Sequence, residues 1–285
     1  MARKWGDRKD AKKVRKLDSM HYIMPLMFPN RTDNEAFMNF RIDLTNAEEF
    51  LKKKNADNPE YKYNIFQLII TAALKSIKLR PKMNYFIANK TMYERNDLTA
   101  AFTVKKIFSD NGGEALARIN AKDTDNIDSI HDEIYRQVSF CRSENKDATT
   151  ETMDFVQKLP FKHFIGWFVR LMDRHGWMPK SMIASDLFQC SLVLTNLGSI
   201  GLDAGYHHLN NWGTNSIFCV VGLKKKRPFF DDEGNVTMRE SIDISLTLDE
   251  RIADGYYYAK TIRLMTHLLE NPELLELPLC EKVEY

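Results

Sequence analysis

Cysteine is scarce in this sequence of 285 residues, and no two cysteines form a C-x-x-C pair. A chain with so few and such scattered cysteines predicts neither a zinc ligand set nor a dense disulfide framework. The four are Cys141, Cys190, Cys219 and Cys280. The N-terminus has no apolar segment of the kind found in signal peptides. We therefore expect a soluble protein of the reducing cytoplasm.

Long apolar runs and the common catalytic motifs are missing too. The most apolar stretch, residues 161–177, is too short and too charged to span a bilayer. There is no P-loop, no G-x-G-x-x-G after a strand, no H-E-x-x-H and no G-x-S-x-G. These absences exclude the usual signatures of nucleotide binding, zinc proteolysis and serine hydrolysis. His207 and His208 are adjacent, and neighbours on a strand point to opposite faces, so we predict no metal site there.

Charge is unevenly spread along the chain. The formal net charge is +2, yet residues 1–16 carry eight Lys or Arg against Asp7 and Asp10. We predict an exposed basic N-terminal arm over residues 1–18, followed by one domain over residues 19–285. Charge runs at termini are usually solvated, so nucleic-acid or membrane binding by this arm is the weaker interpretation.

Helical and strand patterns alternate along the chain and predict an α/β fold. Strands are expected at 36–44, 98–108, 191–194, 216–221 and 242–248 from alternating or continuous apolar patterns. Helices are expected at 45–54, 64–79, 124–142, 161–177 and 254–269, with Thr45 and Glu48 as a capping box and Asp254 as an N-cap. Turns are expected at 111–113 and 231–235. The spacing predicts a mixed β-sheet covered by helices in a two-layer sandwich.

The aromatic helix at 161–177 admits two interpretations. Its Trp and Phe residues mix with basic residues, which is typical of a helix on a membrane surface. Aromatic residues at helical spacing more often pack in a core or against a second subunit, so we favour packing.

A series of short motifs in the last hundred residues carries a family resemblance. In order, they are Val193-Leu194-Thr195-Asn196-Leu197-Gly198, Val220-Val221-Gly222, Arg227-Pro228, Leu246–Gly255 and Leu268–Pro272. Their order resembles the catalytic core of the dihydrolipoyl acyltransferases of 2-oxoacid dehydrogenase complexes, and more distantly chloramphenicol acetyltransferase. The match covers about 190–275, and Ile65–Pro81 resembles the family's buried helix.

The resemblance implies acyl transfer from a thioester within a homotrimer. In this family the histidine of a His-x-x-x-Asp-Gly motif takes the thiol proton of a pantetheine or dihydrolipoyl group. A hydroxyl residue on the Asn-Leu-Gly strand of the neighbouring subunit donates to the oxyanion. The implied co-substrate is a coenzyme A thioester, with no bound cofactor. The chain carries no lipoyl domain.

Carried over by position, the resemblance assigns three catalytic residues. Thr195 would donate to the oxyanion, and Asp254 would be the motif's orienting aspartate, usually paired with an arginine. Glu250 stands where the family has histidine. A free glutamate is about four pKa units more acidic than a thiol, which costs about 5–6 kcal/mol in proton transfer, compared with about 2–3 for histidine. Burial would reduce that cost. A salt bridge from Glu250, for example to Arg251, would instead indicate a site without catalysis.

Three further residues are candidates for the substrate channel. Asn196 follows Thr195, and His207 or His208 would serve as a substitute base if the loop at 206–213, which replaces the family's Pro-rich segment, enters the channel. Two functions stay open. One is a stand-alone acyltransferase that moves an acyl group between coenzyme A and a small acceptor. The other is a catalytically degenerate trimeric module for binding or assembly.

Overall fold

The computed structural model of this chain describes residues 4–105, 114–143, 158 and 160–285, and strands make up its centre. The strands are β1 (Ala11–Lys13), β2 (Glu35–Asp43), β3 (Tyr85–Ala88), β4 (Thr91–Arg95), β5 (Leu98–Lys105), β6 (Glu114–Ala121), β7 (Leu192–Asn196), β8 (Ile217–Val221), β9 (Lys225–Phe230) and β10 (Val236–Asp249). The helices are α1 (Ser19–Met27), α2 (Thr45–Lys54), α3 (Ile65–Leu79), α4 (Ile127–Arg142), α5 (Lys162–Arg174), α6 (Lys180–Ser185) and α7 (Gly255–Glu270).

One mixed sheet runs in the order β2-β10-β8-β7-β5-β6. The β8–β7 and β7–β5 pairs are parallel and the other pairs on this path are antiparallel. Strand β9 pairs with the first half of β10, which is 14 residues long. A separate small sheet has the order β1-β4-β3. The predicted α/β class with a mixed sheet is confirmed.

The two faces of the large sheet differ in chemistry. Alternate residues of β10 and β8, such as Leu246 and Cys219, point into the main core with helices α3, α4 and α7. The residues between them, such as Phe218 and Ser245, point to the opposite face. That face has only a small apolar cluster around Val193 and Phe218. The second face is therefore free to carry polar and functional groups.

Local signals predicted several element boundaries. Helix α3 begins after Asn64, which forms a capping box with Gln67, and α7 begins after its N-cap Asp254. The hairpin turn at 231–235 is confirmed by the bond from Asn235 N–H to the Asp231 carboxylate, 2.7 Å. Helix α4 begins three residues later than expected because Asn126 caps it. The expected turn at 111–113 lies outside the described residues.

The capping box predicted for α2 is wrong. Thr45 is the first helical residue, and its hydroxyl donates to the Asp43 carboxylate, 2.6 Å. The carboxylate of Glu48 instead pairs with the ammonium of Lys224. Asp43 is the last residue of β2 and Lys224 follows β8, so both partners lie outside the motif from Thr45 to Glu48.

The basic segment at residues 1–18 is not exposed throughout: Lys4, Lys12, Arg15 and Lys16 are exposed, whereas Asp7, Arg8 and Ala11 are buried. Arg8 is 3 % exposed, and its guanidinium contacts Asp10 (2.9 Å) and Asp173 (3.2 Å). These carboxylates raise the pKa of Arg8 and outweigh its burial, which acts in the opposite direction. Ala11 is buried in β1, which pairs with β4. Asp7 and Asp10 bond within the segment, and Asp173 together with the pairing of β1 and β4 joins the segment to the domain.

Candidate active site

Thr195 lies near the carboxyl end of β7, on the face of the sheet opposite the main core. It is in register with Val220 of β8, and it shares its face with Val193 two residues earlier. The side chain is half-buried, and its hydroxyl makes no hydrogen bond within the part of the chain described. A hydroxyl in this position is available as a donor to a substrate oxygen.

Asn196 supports the turn that follows Thr195. Its carboxamide oxygen accepts from the Ser199 N–H at 3.1 Å, and its carbonyl accepts from the Ser199 hydroxyl at 2.7 Å. Gly198 in this turn lies against β8: a Cβ there would be 2.3 Å from the Gly222 carbonyl oxygen. Asn196 therefore fixes the end of β7, and its side chain is used for that purpose.

Glu250 lies in the turn between β10 and α7, and its carboxylate is exposed. Its backbone N–H donates to the Asn34 carbonyl at 2.9 Å, while its side chain has no partner among the described residues. The salt bridge considered between Glu250 and Arg251 is not formed, because Arg251 binds Asp249. Among the described residues of one chain, the Glu250 carboxylate is neither buried nor in an ion pair.

Asp249 and Arg251 anchor this turn. The Arg251 Nε and Nη2 atoms donate to the two Asp249 carboxylate oxygens, each at 2.7 Å, and neither residue is more than 1 % exposed. Arg251 Nη1 donates to the Phe28 carbonyl at 3.0 Å. Arg31 Nε lies 3.6 Å from Asp249 Oδ2 on the other side. Burial lowers the pKa of Arg31, and the charge of Asp249 opposes that effect.

Asp254, for which the resemblance implies an arginine partner, makes no ion pair with an arginine among the described residues. It is exposed, and its carboxylate accepts from the Tyr257 N–H at 2.8 Å as the N-cap of α7. The aspartate that pairs with arginine is Asp249. The role of Asp249 was not predicted, because Asp249 precedes the His-x-x-x-Asp-Gly motif and the sequence does not show that it faces the interior.

Within one chain, Thr195 and Glu250 lie toward opposite ends of the sheet. Thr195 is in register with Val220, whereas the Asp249 N–H bonds to the Ser216 carbonyl four residues earlier on β8. With a rise of about 3.3 Å per residue and two strand spacings of about 4.8 Å, the backbones at Thr195 and Asp249 are about 16 Å apart. These two side chains therefore do not form one site within a single chain.

His207 lies over the same face as Thr195. Its ring stacks on Phe218 with centroids 4.0 Å apart and on His208 at 4.6 Å, and its Nδ1 is 2.8 Å from the His208 carbonyl oxygen. Phe218 is in register with Val193, so its position is about 8 Å diagonally from that of Thr195. Both histidines are exposed.

The loop that carries these histidines is fixed by an arginine that sequence analysis did not single out. Arg31 donates to the carbonyls of Asn210 (2.7 Å) and Gly213 (3.2 Å), and its own N–H donates to the Asn211 carboxamide at 2.9 Å. Arg31 begins a short 3-10 helix, Arg31–Asp33, and no local pattern in that segment marks its contacts with the distant loop. Among the described residues no group of three or more His, Cys, Asp or Glu is placed to hold a metal ion.

The segment that contains Thr195 and Glu250 matches a known protein family model. Residues 178–277 match the family model of the 2-oxoacid dehydrogenases acyltransferase (catalytic domain). No curated protein sequence was found to match. The predicted resemblance is thus confirmed for this segment, which contains Thr195, Glu250 and Asp254.

Solved structures show a similar fold over almost the whole chain. A dihydrolipoamide acetyltransferase from Azotobacter vinelandii has a TM-score of 0.62 at 16% identity, over 93% of this chain and 95% of that one. A probable dihydrolipoamide acetyltransferase from Listeria monocytogenes 4b F2365 has a TM-score of 0.60 at 15% identity, over 91% and 95%. A chloramphenicol acetyltransferase has a TM-score of 0.55 at 12% identity, over 91% and 99%. The chain therefore has the fold of these acyltransferase cores.

Proposed function

We propose that this chain, with an acyltransferase fold and a matching C-terminal segment, transfers an acyl group between a coenzyme A thioester and a small acceptor. The observation that carries the proposal is the placement of Thr195 and Glu250. Both side chains are without partners in the described structure, and they lie toward opposite ends of one sheet. A second copy of the chain would bring the Thr195 of one copy to the Glu250 of the other.

In this reaction a base removes the proton from the attacking thiol or hydroxyl. The new bond to the acyl carbon forms as the carbonyl π electrons move to its oxygen, and the Thr195 hydroxyl donates to that oxyanion. Collapse of the intermediate breaks the bond to the leaving thiolate, which takes the proton back from the base. Atoms and charge balance with the two substrates, and the base ends in the protonation state in which it began.

Glu250 is the base in this proposal, and His207 is the candidate to replace it. A carboxylate on the surface of one chain is a weak base for a thiol, with a deficit of about four pKa units for a free glutamate. Contact with a second copy would bury Glu250 and reduce that deficit. His207 lies nearer to Thr195 within one chain, and the stack on Phe218 fixes its ring.

The test is thiol release from a panel of acyl-CoA esters, followed with each candidate acceptor. We expect Thr195→Ala to lower turnover tenfold or more, while Thr195→Ser retains it because the hydroxyl is kept. Glu250→Gln lowers turnover if Glu250 is the base, and His207→Ala does so if the histidine is. Unchanged turnover in Thr195→Ala would refute the assigned role. Light scattering of the intact protein tests the expected homotrimer separately.

The alternative is a trimeric module that keeps the fold without the chemistry. The observation in its favour is that no described group orients the Glu250 carboxylate and that Asp254 serves as a helix cap. This alternative predicts no turnover with any acyl-CoA and a gain of activity in Glu250→His. If Glu250→His destroys an existing activity, the glutamate is a working residue and the alternative fails.

A further inference from the structure

Helix α5 exposes a row of large aromatic side chains. Phe164 is 63 % exposed, Trp167 58 % and Phe168 48 %, and Phe161 and Trp177 are exposed just beyond the two ends of the helix. A helix on a protein surface normally turns its apolar stripe toward the core. In α5 the one fully buried residue is Asp173. The predicted packing role therefore does not hold for this outer face within one chain.

Polar contacts fasten α5 to the domain from its other side. Asp173 Oδ1 accepts from Arg8 Nη2 at 3.2 Å and from the Gln189 carboxamide at 2.8 Å, and its carbonyl accepts from Arg8 Nη1 at 2.5 Å. Since this anchor is buried, the orientation that leaves the aromatic rings in solvent is fixed by the fold.

The charges on the exposed part of α5 are all positive. Lys162, Arg170 and Arg174 are exposed, and none makes a hydrogen bond or ion pair with another described residue. The only acidic residue of the helix is Asp173, which is buried and occupied by Arg8. The outer surface of α5 thus combines aromatic rings with cations that lack counter-charges.

A cavity extends this positive charge beyond the helix. It has a volume of about 240 Å³ and is lined by Arg170 and Arg174 together with Lys90 at the β3–β4 turn and the buried Arg31 and Arg251. Asp173 is the acidic residue of the lining, and Asp249 neutralises part of the charge of Arg31 and Arg251. The net charge around the cavity remains positive, and its volume is large enough for a phosphate group.

We propose that the outer surface of α5 docks on an anionic lipid surface. Phe164, Trp167 and Phe168 would lie at the boundary between headgroups and acyl chains, and Arg170, Arg174 and Lys90 would contact lipid phosphates. Among the described residues no helix is long and apolar enough to cross a membrane, so the chain would lie on the surface. Charge complementarity favours this partner over a second copy, because packing α5 on α5 would bring like charges together.

Sedimentation of the full chain with vesicles tests this proposal. We expect binding to vesicles of phosphatidylcholine mixed with phosphatidylglycerol, weak binding to phosphatidylcholine alone, and release at high salt. Removing two cations in Arg170→Gln/Arg174→Gln should weaken binding about thirtyfold. The matched control Arg263→Gln/Lys282→Gln removes two exposed cations elsewhere and should leave binding nearly unchanged.

Aromatic variants separate lipid docking from contact between copies. Trp167→Ser/Phe168→Ser should abolish vesicle binding and leave the size in solution unchanged, whereas Phe230→Ser, at an exposed position on β9, should change neither. If wild-type protein does not bind the anionic vesicles, the proposal is wrong. It is equally wrong if the aromatic variant dissociates an oligomer, because the face is then an interface between copies. Vesicle binding requires no turnover, so it is measured independently of acyl transfer. A lack of acyl transfer would refute the proposed function without affecting vesicle binding.

Discussion

The buried carboxylate of Asp249 should be among the most costly single charges to remove from this chain. It accepts two hydrogen bonds of 2.7 Å from Arg251, a third from the Arg251 N–H at 3.2 Å, and lies 3.6 Å from Arg31 Nε. Asp249→Asn keeps the shape but leaves two buried guanidinium groups without a counter-charge. Breaking a buried pair in this way costs about 3–5 kcal/mol.

A second aspartate on the same face of the same strand supplies the control. Asp243 pairs with Arg41 at 2.9 Å and with Arg227 at 3.0 Å, but its side chain is 17 % exposed, so solvent screens the loss. We expect Asp243→Asn to cost about 1 kcal/mol. Urea denaturation followed by circular dichroism gives the free energy of unfolding of both variants and of the wild type.

Equal losses in the two variants would refute this reasoning. So would a loss below about 1 kcal/mol in Asp249→Asn, because the buried charges would then be compensated by groups other than Asp249. A double variant, Asp249→Asn/Arg251→Met, adds a further check. It should cost less than the sum of its single changes, since Arg251 is no longer left unpaired.

Three other predictions concern separate parts of the chain. Burial raises the pKa of Asp7, but hydrogen bonds from the N–H groups of Lys13 and Lys4 and from Arg15 outweigh it and lower the pKa to about 2. The stabilisation is therefore present above about pH 4 and is lost as the pH falls toward 2. Limited proteolysis should cut the N-terminal segment in that pH range, and it should cut the Asp7→Asn variant already at about pH 6. Burial raises the pKa of Cys190 to about 11 and of Cys219 to about 12, so a thiol reagent at pH 8 should modify the exposed Cys280 long before either, and equal rates would contradict their burial. The buried ammonium of Lys75 donates to the carbonyls of Leu274, Leu277 and Pro278 at 2.9–3.1 Å. Lys75→Met should therefore destabilise the protein by about 2–3 kcal/mol in thermal unfolding. The control Lys78→Met removes a surface pair with Asp123 and should cost less than about 1 kcal/mol.

Elements with local signals were predictable from the sequence. Asn64 and Asp254 mark the starts of α3 and α7, and alternation over 242–248 marks the second half of β10. Hydrogen bonds and periodicity within a few residues determine such features, so a sequence displays them directly.

Contacts between distant residues were not predictable. Arg8 and Asp173 are 165 residues apart, and Arg31 holds a loop about 180 residues away. Each residue alone is an ordinary charge, and only the fold gives it a buried partner. The pair between Asp249 and Arg251 was not expected either, since the His-x-x-x-Asp-Gly pattern points to Asp254 alone.

The buried contact between Arg8 and Asp173 also sets an order of events during synthesis. Arg8 leaves the ribosome early, but its partner follows 165 residues later, which takes roughly 8–33 s at about 5–20 residues per second. During that interval strands β2 to β5 can already emerge while the basic segment has no carboxylate from α5 to bind. Strands β3 and β4 emerge within that interval, so β1 can pair with β4 early, whereas the buried Arg8–Asp173 contact can form only after α5 has been translated.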